Sequence, residues 1–372
     1  MKHSNPFVAG PMLKNTELFI GRGEALRAII SRMRGSQPTS LNIVGEHQIG
    51  KSSLLYHFFL TWEQLVPQPD SYVVIYLSLK NANSQKEVNF YRAVAKKLFS
   101  CHKVRIQPKL VELLQVTPLN RLAFTQIIEE FKTQGLLPVL CLDDFESLFT
   151  NRDERRKEFD DGFYDNLRSL MDDSALMLVL SSCKQLDVYQ KEYRFVSSFF
   201  NVGHVIKLGE FTTDEAIKLT RLTVDSLEET PALTEEEQNL AQQWGKRHPY
   251  LLQLAGYYLW EARQDEKDLK WAKQRFKHQI SKYNSELKGH SKYQLSWLLI
   301  MALLILLIGL VVLMITTPTS MSIILGGIGP TVDTLENIAH ITIGLLILIL
   351  LILSLTGLFP EIKEYLLNLI KK

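Results

Sequence analysis

Gly45-Glu46-His47-Gln48-Ile49-Gly50-Lys51-Ser52 decides the fold of this chain. The stretch fits G-x-x-x-x-G-K-[ST], a loop built to wrap phosphate. Its glycines let the backbone close around the anion, so that N–H groups point inward as a nest. Lys51 supplies a point charge for the β- and γ-phosphates, and the Ser52 hydroxyl is a ligand for Mg2+. Ser53, the next residue, joins the candidate contact set. The flanks agree with the motif. Ser40-Leu41-Asn42-Ile43-Val44 is a short apolar run ending at the first glycine, and Ser53 to Leu60 reads as a helix. The N-terminus of that helix faces the phosphates.

Working outward, Tyr72 to Leu77 reads as a buried strand and Val88 to Phe99 as a helix. A loop with Pro108 and Pro118 follows, then a helix from Leu119 to Lys132 that Gly135 stops. Pro138 to Asp144 and Leu176 to Ser182 are two more buried strands, and Val205 to Leu208 is a weaker one. Apolar runs alternating with helical patterns predict an α/β fold, a parallel sheet with helices on both faces. Beyond Glu210 the pattern is helical only. Thr212 or Thr213 caps one helix, Thr234 to Glu237 opens a second as a capping box, and Pro249 sits at the first position of a third. The expected division is a core over 1–210 and a small helical lid over 211–262.

A phosphate loop needs a second, carboxylate-bearing strand to hydrolyse anything. Leu142-Asp143-Asp144-Phe145-Glu146 supplies it. Asp143 is the candidate to hold Mg2+, through a water in the usual arrangement. Asp144 and Glu146 are the candidates to orient or deprotonate the attacking water. They share a face if the strand continues through them. Ser182 ends the next strand, where a polar side chain is placed to touch the γ-phosphate or the water. Cys101, Cys141 and Cys183 are far apart, with no metal spacing and no disulfide framework.

These residues carry a resemblance. Asn5-Pro6-Phe7, Pro11 and Phe19-Ile20-Gly21-Arg22 look like the entry segment of bacterial AAA-like ATPases of the STAND class, signal-transduction ATPases with numerous domains. The likeness continues through the acidic strand end, Phe163 to Leu170, Ser181 to Lys184, Phe199 to Asn201 and Arg247 to Gln253, about residues 5–262 in all. It implies a switch whose ATP-bound and ADP-bound states differ in lid position and couple to homo-oligomerisation. It places Gly21 and Arg22 near the adenine and ribose, and Pro249, with His248, on the lid loop facing the nucleotide. Three positions depart from the class. Arg247 stands where relatives carry Gly before x-Pro, Asp144 where many carry Glu, and Lys184 near a common Arg. Arg168 is therefore the candidate charge-stabilising arginine.

The chain has 372 residues and a net charge of +2, which hides an asymmetry. Residues 295–315 and 338–358 form two uncharged apolar runs, each 21 residues long, enough for a helix to cross about 30 Å of hydrocarbon. Residues 263–294 form a basic linker, with Lys270, Lys273, Arg275, Lys277, Lys282, Lys288 and Lys292 before the first run. Lys363, Lys371 and Lys372 lie in the tail over 359–372, and the connection over 316–337 has neither Lys nor Arg. The positive-inside rule then puts both ends in the cytoplasm of a bacterial inner membrane, with a two-helix hairpin between them. No cleaved signal peptide is expected at Met1 to Pro6. Phe276, Ile280, Tyr283 and Leu287 form a helical stripe, which fits a coiled-coil seam, a helix resting on anionic lipid or a solvated stalk. No feature points to nucleic acid. The expectation is a membrane-anchored ATPase switch using ATP/ADP and Mg2+, with membrane lipid and copies of itself as partners. The alternatives are a membrane effector fired by stress or phage, and a non-hydrolysing nucleotide-binding scaffold.

Overall fold

The computed structural model describes residues 4–80, 86–149, 158–201, 203–223 and 230–283. Five strands, β1 (Leu41–Val44), β2 (Tyr72–Ser78), β3 (Leu137–Asp143), β4 (Met177–Ser182) and β5 (His204–Lys207), form one sheet in the order β2-β3-β4-β1-β5. All pairings are parallel. The inner strands β1 and β4 are buried at every residue, which is why they read as unbroken apolar runs. The edge strand β5 alternates instead, and so gives the weaker signal.

Helices cover both faces. α1 (Gly23–Met33) and α2 (Lys51–Leu65) pack on the face carrying Ile43, Val74, Val139, Cys141 and Val179. α3 (Glu87–Phe99), α4 (His102–Arg105), α5 (Pro108–Leu114), α6 (Arg121–Thr133), α7 (Asp161–Asp172) and α8 (Leu186–Tyr193) contribute to the opposite core, with Ile75, Leu140, Leu142 and Leu180. Side chains alternate along a strand, so Asp143 follows Val139 and Cys141 onto the α2 face. The segment expected as a loop around Pro108 holds two short helices, because Pro108 opens α5 where a missing N–H costs nothing.

Three further helices, α9 (Thr213–Thr220), α10 (Glu235–Gly245) and α11 (Pro249–Gln264), enclose a core of their own. Thr212 with Glu215, and Thr234 with Glu237, form complete capping boxes. Phe7 from the N-terminal segment is buried in this core, a burial that stabilises by about 1.5–3 kcal/mol. A helix over 269–283 also joins it, through Ala272 and Phe276. Phe276 lies 5.4 Å from Trp244, ring to ring, and Ile280 packs alongside. The first two members of the expected stripe are therefore used against the lid.

Met1–Ile280 forms one compact unit and Ser281–Lys372 a second. Of the second, only 281–283 are described, and the expected spans 295–315 and 338–358 lie outside the described residues. Among the described residues, no helix is long and apolar enough to cross a membrane.

Candidate functional site

The loop between β1 and α2 is shaped by two glycines. At Gly45 a Cβ would lie 2.8 Å from both the Ile49 side chain and the Leu208 carbonyl oxygen, so only glycine lets the chain leave β1 this closely packed. Gly50 has φ 99° and caps α2, a conformation that L side chains rarely adopt. Helix α2 then starts at Lys51, with the loop residues Glu46, His47, Gln48 and Ile49 turning in front of it. Lys51 is buried, and its Nζ donates to the carbonyls of Gly45 and Glu46, both at 2.8 Å. The Cys183 Sγ is 3.8 Å from the same ammonium, and the His47 ring nitrogens lie 3.6 and 3.8 Å from that sulfur.

Asp143 ends β3 with its carboxylate buried and three hydroxyls around it. Ser52 Oγ donates to Oδ1 at 3.1 Å, the Ser181 hydroxyl donates to the same oxygen, and the Tyr76 hydroxyl donates to Oδ2 at 2.7 Å. Ser52 and Asp143 are thus brought together as an all-oxygen pair, the ligand chemistry a hard cation such as Mg2+ takes. Among the described residues no cluster of three His, Cys, Asp or Glu side chains could hold a metal. A divalent ion here would draw its other ligands from phosphates and water, as Mg2+ commonly does. The residues fit a Mg2+–nucleotide.

The strand ends one residue earlier than its sequence suggests. Asp144 takes a left-handed φ of 57° and a 3-10 turn, Phe145–Leu148, follows. The alternation expected to put Asp144 and Glu146 on one face therefore stops at Asp143. The Asp144 Oδ1 pairs with Lys80 Nζ at 2.8 Å, and the Asp144 N–H donates to Ser181 Oγ at 3.0 Å. Burial works against the Lys80 charge, but the Asp144 carboxylate outweighs it and raises the pKa of the ammonium. Glu146 presents a buried Oε2 with no hydrogen-bond partner. Burial, and then Glu146, push the Cys183 thiol up to about 12.

Ser182 is fully buried and its hydroxyl faces Asn42 Oδ1 at 3.0 Å and the Lys184 carbonyl at 2.6 Å. It is Ser181 that reaches the acidic strand end. Ser53 Oγ accepts from the Leu13 N–H at 3.1 Å and so faces the N-terminal segment. Arg168 lies on α7 in a half-exposed ion pair with Asp172, 2.9 Å away, one helical turn on. None of the bonds described for it reaches the loop.

The segment from Gly209 to Glu215 meets the loop through Arg22. Its Nη2 donates to the Ile49 carbonyl at 3.0 Å and to the Gly209 carbonyl at 2.7 Å. The guanidinium lies 4.7 Å from the centre of the Phe211 ring. The Arg22 N–H donates to the Glu215 carboxylate of α9 at 2.6 Å. Gly21, at φ 77°, lets that carboxylate approach. Pro249 is buried at the first turn of α11, and His248 before it is the cap residue. Burial lowers the His248 pKa, against the pull of Glu46 and Glu210. Tyr76, Lys80, Ser181 and Cys183 were not among the residues expected from sequence. Alternation along β2 places Tyr76 on the α2 face, but only strand order shows what it meets there.

The fold resembles a Walker-type ATPase of Pyrococcus abyssi, with a TM-score of 0.52 and 18% identity over 77% of this chain and 81% of that one. The ORC2 protein of Aeropyrum pernix is similar at a TM-score of 0.49 and 15% identity, covering 74% of this chain and 72% of that one. Domain III of the replication initiation protein DnaA from Thermotoga maritima follows at 0.44 and 19%, covering 72% and 98%. At such identities the likeness speaks to the fold alone. No curated protein sequence matches the chain. The family model described as AAA-like domain matches residues 7–296, well over half of the chain, and the chain therefore belongs to the AAA-like domain family.

Proposed function

We propose that the chain is an ATP-binding, ATP-hydrolysing switch of the STAND class. In this reading it is tethered to a bacterial inner membrane by the hairpin over 295–315 and 338–358 and assembles when ATP binds. One observation carries the nucleotide part. Lys51, Ser52 and Asp143 converge at one end of a parallel sheet, at the N-terminus of α2. The γ-phosphate would compete with the Gly45 and Glu46 carbonyls for the Lys51 ammonium. Ser52 and Asp143 would hold Mg2+, which supplies charge neutralisation on the phosphates when bound. Asp144 is the preferred residue to orient water, with Glu146 the alternative. Arg22 and Pro249 would carry the nucleotide state to the lid.

The tether rests on the two apolar runs and the basic residues beside them. A Ser322→Cys label in a background without the three native cysteines tests it. Reaction with an impermeant thiol reagent from the outside supports the hairpin, and labelling of an Asn368→Cys site in intact spheroplasts contradicts it. Assembly is tested by sizing the solubilised protein with ADP and with a non-hydrolysable ATP analogue. Equal size in both states removes the switch.

A second reading is favoured by the Lys80–Asp144 ion pair. A carboxylate held by an ammonium is a poor orienter of water, which suits a scaffold that binds nucleotide without turnover. Steady phosphate release from the wild-type protein, lost in Asp143→Ala, eliminates it. The effector reading is separated by dye leakage from cells on induction.

A further inference from the structure

We propose that Tyr76 is a positioning residue for the metal-binding carboxylate, seated in turn by the N-terminal segment at Met12 and Leu13. The inference rests on the Mg2+–nucleotide reading of the site. Asp143 has two oxygens with separate partners. Oδ1 receives the hydroxyls of Ser52 and Ser181, while Oδ2 receives Tyr76 at 2.7 Å. A bound Mg2+ would engage Ser52, so Ser181 and Tyr76 remain to fix the carboxylate plane.

The phenol is itself held in place. Its ring meets Tyr56 edge-on at 5.1 Å and Phe59 at 6.1 Å, both on α2. Its oxygen rests 3.4 Å from Met12 Sδ. A thioether is a weak acceptor and a carboxylate a strong one, so the proton goes to Asp143 and the methionine acts as a seat. Leu13, the next residue, is bonded to Ser53 on α2. The same segment is fastened to α11 of the lid. Asn5 Nδ2 donates to the Tyr257 carbonyl and the Glu261 carboxylate at 3.2 Å, and the Val8 N–H donates to Gln253 Oε1 at 2.8 Å. Outer partners of metal ligands fix ligand orientation, and their loss costs about 10–100-fold in metal affinity.

The test is binding of a fluorescent ATP analogue by the full-length protein, titrated with Mg2+. The wild type must first show tighter binding with Mg2+; without that response the nucleotide reading fails, not this one. Tyr76→Phe keeps the ring and removes the hydroxyl. It is expected to raise the Mg2+ concentration for half effect by about 10-fold or more while leaving Mg2+-free binding within about twofold. Met12→Ala leaves the phenol in place, removes its half-exposed seat, and is expected to move the Mg2+ response in the same direction by a smaller factor. An unchanged Mg2+ response in Tyr76→Phe overturns the positioning role. Parallel loss of Mg2+-free and Mg2+-dependent binding overturns it too, since that is what general damage to the fold would do. An unchanged response in Met12→Ala removes the seat, and it decides the matter if Tyr76→Phe does not fold.

Discussion

Replacing Arg22 with Ala should loosen the phosphate loop from the segment that begins at Gly209. The guanidinium bridges the Ile49 carbonyl at 3.0 Å and the Gly209 carbonyl at 2.7 Å, and it lies on the Phe211 ring. A hydrogen bond from a charged donor contributes about 1.5–3 kcal/mol, and an exposed cation–π contact about 0.5–1 kcal/mol. Burial acts the other way, lowering the Arg22 pKa, and the bond to Gly209 is solvent-exposed. The low end of each range, about 2–4 kcal/mol in total, is therefore the expected loss. For a compact unit of this size that is about 4–8 °C in Tm. Arg22 also has a left-handed φ of 63°, a conformation that costs a non-glycine residue about 1–2 kcal/mol. Arg22→Gly should therefore be less destabilised than Arg22→Ala, although both lack the guanidinium. Thermal unfolding of the solubilised protein measures the order, and hydrogen exchange across 209–222 shows whether the loss falls on the lid. A Tm for Arg22→Ala within about 1 °C of wild type, with unchanged exchange there, would refute the latch.

Asp144→Asn is expected to stop phosphate release while ATP stays bound; normal release in that variant, with Glu146→Gln inactive, would transfer the water-orienting role to Glu146, whose Oε2 is buried without a hydrogen-bond partner. With the thiol pushed up to about 12, Cys183 should react with iodoacetamide at pH 8 more slowly than a free cysteine; a rate typical of free cysteine in mass-spectrometric mapping would contradict its burial beside Glu146. Burial works to raise the Glu215 pKa, but the N–H groups of Thr212 and Arg22 outweigh it, so the folded value lies below 4.5. That contribution to stability is complete above pH 4.5 and is lost as pH falls through the folded value. Glu215→Gln should then flatten the acid limb of a stability–pH curve, and an unaltered limb would show that Glu215 gains nothing on folding.

The phosphate loop and the lid helices were legible because their signals are local. Gly45 to Ser52 is one contiguous stretch, and Thr212 with Glu215, or Thr234 with Glu237, lie three positions apart. What surrounds Asp143 was not legible, because it depends on strand order. Tyr76 and Ser181 come from β2 and β4, which flank β3 only in the folded sheet. Ser182 looked the better candidate because it is the last polar residue of its run, but alternation turns it toward Asn42 and leaves Ser181 facing the acid. The end of β3 was set one residue too late for a related reason. Nothing in Leu142-Asp143-Asp144-Phe145 shows that the chain turns left-handed after the first aspartate. The packing of Phe276 and Ile280 was not legible, because the surface that receives them, at Trp244, lies more than one helix away in sequence.

The most direct measurement is calorimetric titration of ATP into the full-length protein with Mg2+, wild type against Lys51→Ala. Lys51 Nζ sits inside the loop, 2.8 Å from the Gly45 and Glu46 carbonyls, where it would meet the β- and γ-phosphates. Removing a charge-assisted bond to phosphate should weaken binding by at least about 10–100-fold, with the unfolding profile showing that the variant is folded. Saturable binding in the wild type that is lost in Lys51→Ala is the expected result. Equal affinity in the two proteins, or no binding in either, would contradict a phosphate-binding role for Gly45 to Ser52.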